Sequence, residues 1–237
     1  MEIKNKYNFI INSENNNFLT KKYFNKKIEK DYNSSAFTGI LHHNKIENKT
    51  AIQIFTKFGP LAFLPLSKTK TSIVYSIQKK YNLEHKDIKN MILKFNKIYR
   101  IKKLDVLEKF DLKFSFSRNL FYKNILFFGN PIHKIHPLAG QGFNMILRDI
   151  KILIKLIDDQ INCGLEINQS LLSDFKNKTQ HFNYIFATSI NLINDFFILD
   201  NKLNSKISKN LFKILNGNKI FKEYSAKFAD KGININY

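Results

Sequence analysis

One stretch constrains this chain more than any other: Asn124–Asp149, NILFFGNPIHKIHPLAGQGFNMILRD. Ile125-Leu126-Phe127-Phe128 is a short apolar run with the pattern of a buried strand. Gly129-Asn130-Pro131 stops the run and turns the chain. Pro137-Leu138-Ala139-Gly140-Gln141-Gly142 follows as a loop with two glycines one residue apart. From Phe143 the apolar residues take helical spacing, through Met145, Ile146, Leu147, Ile150, Leu153, Ile154 and Ile157. The order is therefore strand, glycine-rich loop, helix. The first turn of a helix has N–H groups without intrahelical partners. With the helix dipole, these favour a negative group at that end. Glycines at 140 and 142 would let a flat ligand approach the backbone closely. A tight turn that binds nothing satisfies the same Gly-x-Gly pattern.

The full string is more specific. Gly129-Asn130, then His136-Pro137-Leu138-Ala139-Gly140-Gln141-Gly142-Phe143-Asn144, then Arg148-Asp149, resembles the second flavin-binding motif of the FAD-dependent aromatic hydroxylases. It is most similar to the ubiquinone-biosynthesis branch, which hydroxylates polyprenylated phenols. The resemblance implies FAD as cofactor, monooxygenase activity and a polyprenylated phenol as substrate. It places Gly129, Asn130, Pro137, Gly140, Gln141, Gly142, Phe143 and Asn144 beside the flavin. Where the family has Gly-Asp, this chain has Gly129-Asn130. An amide still bonds a ribityl hydroxyl, but it gives up a charge-assisted bond worth about 1.5–3 kcal/mol. No side chain is assigned as catalytic acid or base.

A second segment carries the same resemblance. Gly59-Pro60-Leu61-Ala62-Phe63-Leu64-Pro65-Leu66, with Gln53 and Phe55 before it and Ser72-Ile73-Val74-Tyr75-Ser76 after it, is similar to the family's substrate-domain sheet. Read alone, Pro60 and Pro65 would suit an interrupted edge strand. At the N-terminal end, Tyr7–Asn12 reads as a strand, Ser13–Asn17 as a turn and Phe18–Phe24 as a short helix. Glu14-Asn15 would stand where the family has Asp-Gly. The family's Gly-x-Gly-x-x-Gly pyrophosphate cradle has no counterpart, because the first glycine is Gly39. The expected fold is α+β (α/β), a truncated para-hydroxybenzoate-hydroxylase-like flavoprotein. Residues 1–24 would be a remnant of the FAD-binding domain and 25–115 the substrate-domain sheet with its helix. Residues 116–162 would form the second flavin motif and 163–237 the C-terminal helices. The missing N-terminal half would come from a separate chain or from upstream sequence.

Other elements follow from periodicity. Ala36–His43, Ala51–Thr56, Gly59–Leu66 and Ser72–Ile77 are spaced as a mostly antiparallel sheet. Ile88, Met91, Ile92, Phe95 and Tyr99 mark one face of a helix over His85–Arg100. Leu112–Ser117 alternates as a strand. The helix after the glycine loop should end near Asp159, with Asn162-Cys163-Gly164 as its stop. Ser170–Phe197 and Lys206–Leu215 read as helices, and the tail from Lys219 is basic with interleaved aromatics.

Composition narrows the function classes. At 43% hydrophobic and 14% aromatic, the 237 residues are not generally disordered. The net charge of +20 is nearly all lysine, since only Arg100, Arg118 and Arg148 are arginines. Bidentate phosphate readers are therefore scarce and nucleic acid is an unlikely partner. Coding bias toward lysine, asparagine and isoleucine accounts for the charge, as does attraction to a membrane surface. Cys163 is the only cysteine, so a reducing compartment fits. No signal peptide is visible, and the apolar runs fall short of the roughly 20 residues of a span. The expected location is cytoplasmic or peripheral to the inner membrane. His133 and His136 lack the cysteine or carboxylate neighbours of a zinc site. A non-catalytic remnant or accessory subunit, docking on a hydroxylase complex or a membrane, is the alternative to an enzyme.

Overall fold

The computed structural model describes residues 7–137, 140–202 and 223. The helix expected over Lys206–Leu215 and, Glu223 apart, the tail from Lys219 lie outside the described residues. Two sheets and four helices make up the described fold.

The smaller sheet begins with β1 (Ile10–Asn12) and is completed by β8 (Phe121–Tyr122) and β9 (Ile125–Phe127). Its order is β1-β9-β8. β1 and β9 run parallel, with Ile10 opposite Ile125 and Asn12 opposite Phe127. Helix α1 (Phe18–Tyr23) follows β1 where the sequence indicates it. The Asn17 side chain caps it by accepting from the Thr20 N–H at 2.8 Å. Ile125, Leu126 and Phe127 are fully buried, and Phe127 stacks on Phe24 at 4.7 Å. This short apolar run is the floor of one hydrophobic core.

The larger sheet has the order β10-β7-β2-β5-β4-β3, with β6 also paired to β2. Its strands are β2 (Lys27–His43), β3 (Ile52–Thr56), β4 (Gly59–Ser67), β5 (Lys70–Gln78), β6 (Ile101–Leu104), β7 (Glu108–Ser117) and β10 (His133–Lys134). All its pairings are antiparallel. β2 starts nine residues before the expected Ala36, because Lys27–Ser35 is polar and a bulge between Asp31 and Ser34 breaks its alternation. The short strands β6, β8 and β10 carry too few residues to show periodicity and are absent from the sequence reading. One face of the sheet packs Phe37, Leu61, Phe63, Ile73 and Tyr75 against Ile88 and Ile92 of α2 (His85–Phe95). Helix α2 ends at Phe95, short of the expected Arg100, and its C-cap Asn96 has extended backbone. Tyr99 still reaches that core. The other face sets Phe114 and Phe116 against the two long helices, α3 (Gln141–Asn162) and α4 (Gln169–Lys202).

Helix α3 forms where the helical spacing indicates it, and the fold decides which of its faces is buried. Met145, Asp149, Leu153 and Leu156 point inward. Leu147, Ile150, Ile154 and Ile161 are 37–58% exposed. The helix is apolar on two faces, so periodicity alone cannot choose between them; the buried Asp149 marks the inner one. The helix stops as expected, with Cys163 at its C-cap and Gly164 in the left-handed region at φ 68°. One correction concerns length. Gln169–Leu199 is long and apolar enough to cross a membrane by length and composition, although a third of its most apolar 18-residue stretch is buried in the fold.

The facing of α3 is open to direct test. Leu153→Ala should destabilise the chain by about 2–4 kcal/mol in urea unfolding, while Ile154→Ala, one position on, should cost about 0.5 kcal/mol or less. Equal costs would mean that α3 is rotated about its axis.

Candidate functional site

β1 and β9 are parallel, so their carboxyl ends open toward one side of the small sheet. Ligands of α/β folds commonly bind outside such ends. Gly129 follows β9 with φ 80°, and its carbonyl accepts the Ile132 N–H at 3.0 Å. Asn130 is exposed at this turn. The chain then pairs with the large sheet through β10, His133 lying opposite Phe116. It leaves through Ile135, His136 and the half-buried Pro137, and Leu138 and Ala139 lie outside the described residues. Gly140 takes the N-cap of α3 at φ 67°, where an L side chain would be strained.

The start of α3 is open. No side chain caps it, and its first turn holds no acidic residue. Among the described residues, a Cβ on Gly140 would meet nothing within 4 Å beyond its chain neighbours, and one on Gly142 would touch only Ile135, at 3.6 Å. Phe143 is 66% exposed, and the Asn144 amide donates to Gln141 Oε1 at 3.5 Å. Gly140, Gln141, Gly142, Phe143 and Asn144 thus form one surface at a helix N-terminus. Gly129 and Asn130 stand at the other end of the same segment, beyond β9.

Beneath this segment lies a buried polar network that sequence patterns do not reveal. His133 Nε2 meets Asp149 Oδ2 at 3.1 Å, with side chains 0% and 2% exposed. The Asn183 amide of α4 donates to the other carboxylate oxygen at 2.8 Å. The contact ties β10 to α3 and so closes the base of the loop between them. A second anchor comes from the bulge in β2. The His136 N–H donates to the Tyr32 hydroxyl at 3.1 Å, and that hydroxyl donates to Asn191 Oδ1. The rings of Tyr32 and His136 meet edge to face at 5.2 Å. Burial pushes the Tyr32 hydroxyl up to about 12 and the His136 imidazole down to about 4. Both side chains are therefore neutral at physiological pH. Arg148 lies over the Phe186 ring at 4.5 Å. His133, His136, Arg148 and Asp149 were visible as residues of the motif; Tyr32, Asn183 and Asn191 sit on remote elements with no local signal. Among the described residues, no group of three or more His, Cys, Asp or Glu could hold a metal. A separate cavity of about 250 Å³ is lined by Ser35, Phe37, Gln78, Lys79, Leu83 and Lys109, none of them in the loop.

The fold is similar to that of solved flavin-dependent monooxygenases. The p-nitrophenol 4-monooxygenase PnpA from Pseudomonas putida DLL-E4 matches with a TM-score of 0.74 at 10% identity, over 94% of this chain and 59% of that one. PqsL of Pseudomonas aeruginosa, described as a probable FAD-dependent monooxygenase, matches with a TM-score of 0.65 at 12% identity, over 82% and 57%. In sequence, the chain is similar to mitochondrial ubiquinone biosynthesis monooxygenases named COQ6. That of Mus musculus is 26% identical over 204 residues, 68% of this chain and 43% of the relative. That of Homo sapiens is 24% identical over 205 residues, 69% and 44%. That of Caenorhabditis elegans is 33% identical over a shorter 73 residues, 30% and 16%. The chain thus spans less than half the length of these relatives. No protein-family model matches it.

The network gives two expected outcomes. Asp149→Ala leaves a buried imidazole and a buried amide without their shared acceptor, so unfolding free energy should fall by about 2–4 kcal/mol, measured in urea at neutral pH. His136 has a folded pKa of about 4 against an ordinary 6.5. Between those values the unfolded chain takes up the proton and the folded chain does not, so stability is full above pH 6.5 and is lost as pH falls toward 4. The slope is about 1.4 kcal/mol per pH unit within that window. His136→Phe should remove this component, seen as a smaller stability difference between pH 6.5 and pH 4.5 than in the parent chain.

Proposed function

We propose that this chain is the part of an FAD-dependent aromatic-ring monooxygenase of ubiquinone biosynthesis that carries the flavin-ring loop and the substrate-side sheet. The observation that carries the reading is the start of α3: a helix N-terminus without a side-chain cap, with open space around Gly140 and only Ile135 near Gly142 among the described residues. A planar ring that takes on negative charge would suit this place, because the first-turn N–H groups lack intrahelical partners and neither Gly140 nor Gly142 carries a Cβ. FAD, when bound, supplies the oxygen-activating chemistry of this class. The residues of this chain supply placement. Gly140, Gln141, Gly142, Phe143 and Asn144 would line the ring, with Pro137 leading into the loop. Gly129 and Asn130 would hold the ribityl chain, the Asn130 amide offering a donor as well as an acceptor. The large sheet would form the wall against which a polyprenylated phenol lies. The similar relatives are named for ubiquinone biosynthesis, which supports that substrate class.

In this reading the flavin site is shared with an α/β segment beyond these 237 residues. Two features support it. Among the described residues β1 is an edge strand with β9 as its one neighbour, and Ile11 on it is 50% exposed. The outer stripe of α3, Leu147, Ile150, Ile154 and Ile161, offers an apolar face to a further layer. The pyrophosphate end of FAD would be held by that segment.

Calorimetric titration of the purified chain with FAD tests this. Binding should be weaker than about 1 μM, because only part of the cofactor is gripped. Gly142→Ala should weaken it further by about tenfold while leaving the unfolding midpoint unchanged or slightly raised, since alanine favours the helix. Submicromolar binding by the isolated chain would overturn the shared site. FAD binding indifferent to Gly142→Ala would remove the loop from it.

A further inference from the structure

The second half of α4 buries asparagines beside the apolar Phe186, Ala187 and Ile190, and turns further apolar residues outward. Asn183, Asn191 and Asn194 point into the fold and are 6–9% exposed. Ile185, Leu192 and Leu199 point outward at 39%, 68% and 55% exposure. Their spacing of seven sets these three within about 40° of one another around the helix. Tyr184 and Ile193, at 37% and 44% exposure, widen the strip. A helix facing water carries its polar residues outside.

The polar side chains on the strip are already satisfied within the helix. Thr188 donates its hydroxyl proton to the Tyr184 carbonyl, and Ser189 donates to the Ile185 carbonyl at 2.9 Å. Such back-bonding lowers the cost of taking a hydroxyl out of water. Between Lys178 and Asp200 the only ammonium or carboxylate group is Asp195, and Lys30 pairs with it at 3.1 Å. The strip therefore asks for an apolar medium. A full span across a bilayer would strip Asn183 from Asp149 and pull Phe186 and Ile190 out of the core they share with Phe114 and Phe116. The geometry suits a medium that meets one face only.

Charge identifies that medium. The chain carries a net +20, held almost wholly on lysines. Lysine is a compact cation on a flexible stem and favours an anionic surface without demanding a fixed partner shape. Lys176 and Lys178 precede the strip and Lys202 follows it in the sequence. We propose that the outward face of α4 from Tyr184 to Leu199 is a membrane-docking surface, lying in the headgroup region of an anionic bilayer with the helix parallel to its plane. The proposal is independent of the flavin reading, and its test involves no flavin.

The test is sedimentation of the full chain with phosphatidylcholine vesicles, with and without phosphatidylglycerol. The chain should pellet with the anionic vesicles and stay largely in solution with the neutral ones. The double substitution Ile185→Glu, Leu192→Glu should cut the pelleted fraction on anionic vesicles by about tenfold. Both positions are exposed, so circular dichroism and the thermal midpoint should remain those of the parent. Failure of the parent to pellet would overturn the proposal. So would a double variant that pellets as well as the parent, which would assign binding to the lysines or the tail alone. A parent that forms a dimer, dispersed by the double substitution, and does not bind vesicles would give the strip to a second copy and likewise overturn it.

Discussion

The contact between His133 and Asp149 holds the rest of the site in place. It joins a two-residue strand of the large sheet to the third turn of α3. Because it is buried, it is strong only while all its groups are paired. Asn183 completes the carboxylate from α4, and Tyr32 and Asn191 repeat the arrangement one step along the loop. Three elements distant in sequence thus converge on one segment of backbone. A loop that must present N–H groups to a ligand needs this rigidity, because donors that reorganise lose most of their electrostatic value.

The division of labour between the sheets follows from their strand directions. The small sheet is parallel where it matters, so two strand ends open on one side and leave room for a ligand. The large sheet is antiparallel, with one face sealed by α2 and the other turned toward α3 and α4. The loop lies where the two sheets meet. Burial beneath the loop holds the His136 imidazole neutral and raises the Tyr32 hydroxyl further, while the start of α3 itself stays open.

Much of this was legible in the sequence where an element had length and one apolar face. The glycine loop and the helix after it, the strands β1, β3 to β5 and β9, and α2 all carried enough pattern. The misses have separate physical causes. β2 hid its first nine residues behind a bulge and polar side chains whose partners lie on β7, some eighty residues away in the chain. α3 offered two apolar faces, and only the position of Asp149 tells them apart. α4 was visible as a helix, but the inward turn of its asparagines was not, because Asn183 and Asn191 find partners that no local rule specifies. Asn183 and Tyr32 belong to the site solely through tertiary contact.

The bulge in β2 has a consequence for how errors in folding would be felt. Tyr32 sits inside it and reaches a backbone N–H 104 residues further along the chain. A slip of β2 against β7 by one residue would turn that ring to the opposite side of the sheet. Such a molecule could keep most of its strands and its solubility, yet release the loop from its mooring. Pairing fidelity in a polar, unremarkable stretch of strand therefore acts as quality control for a distant binding surface, and a misregistered chain would be lost to function before it was lost to aggregation.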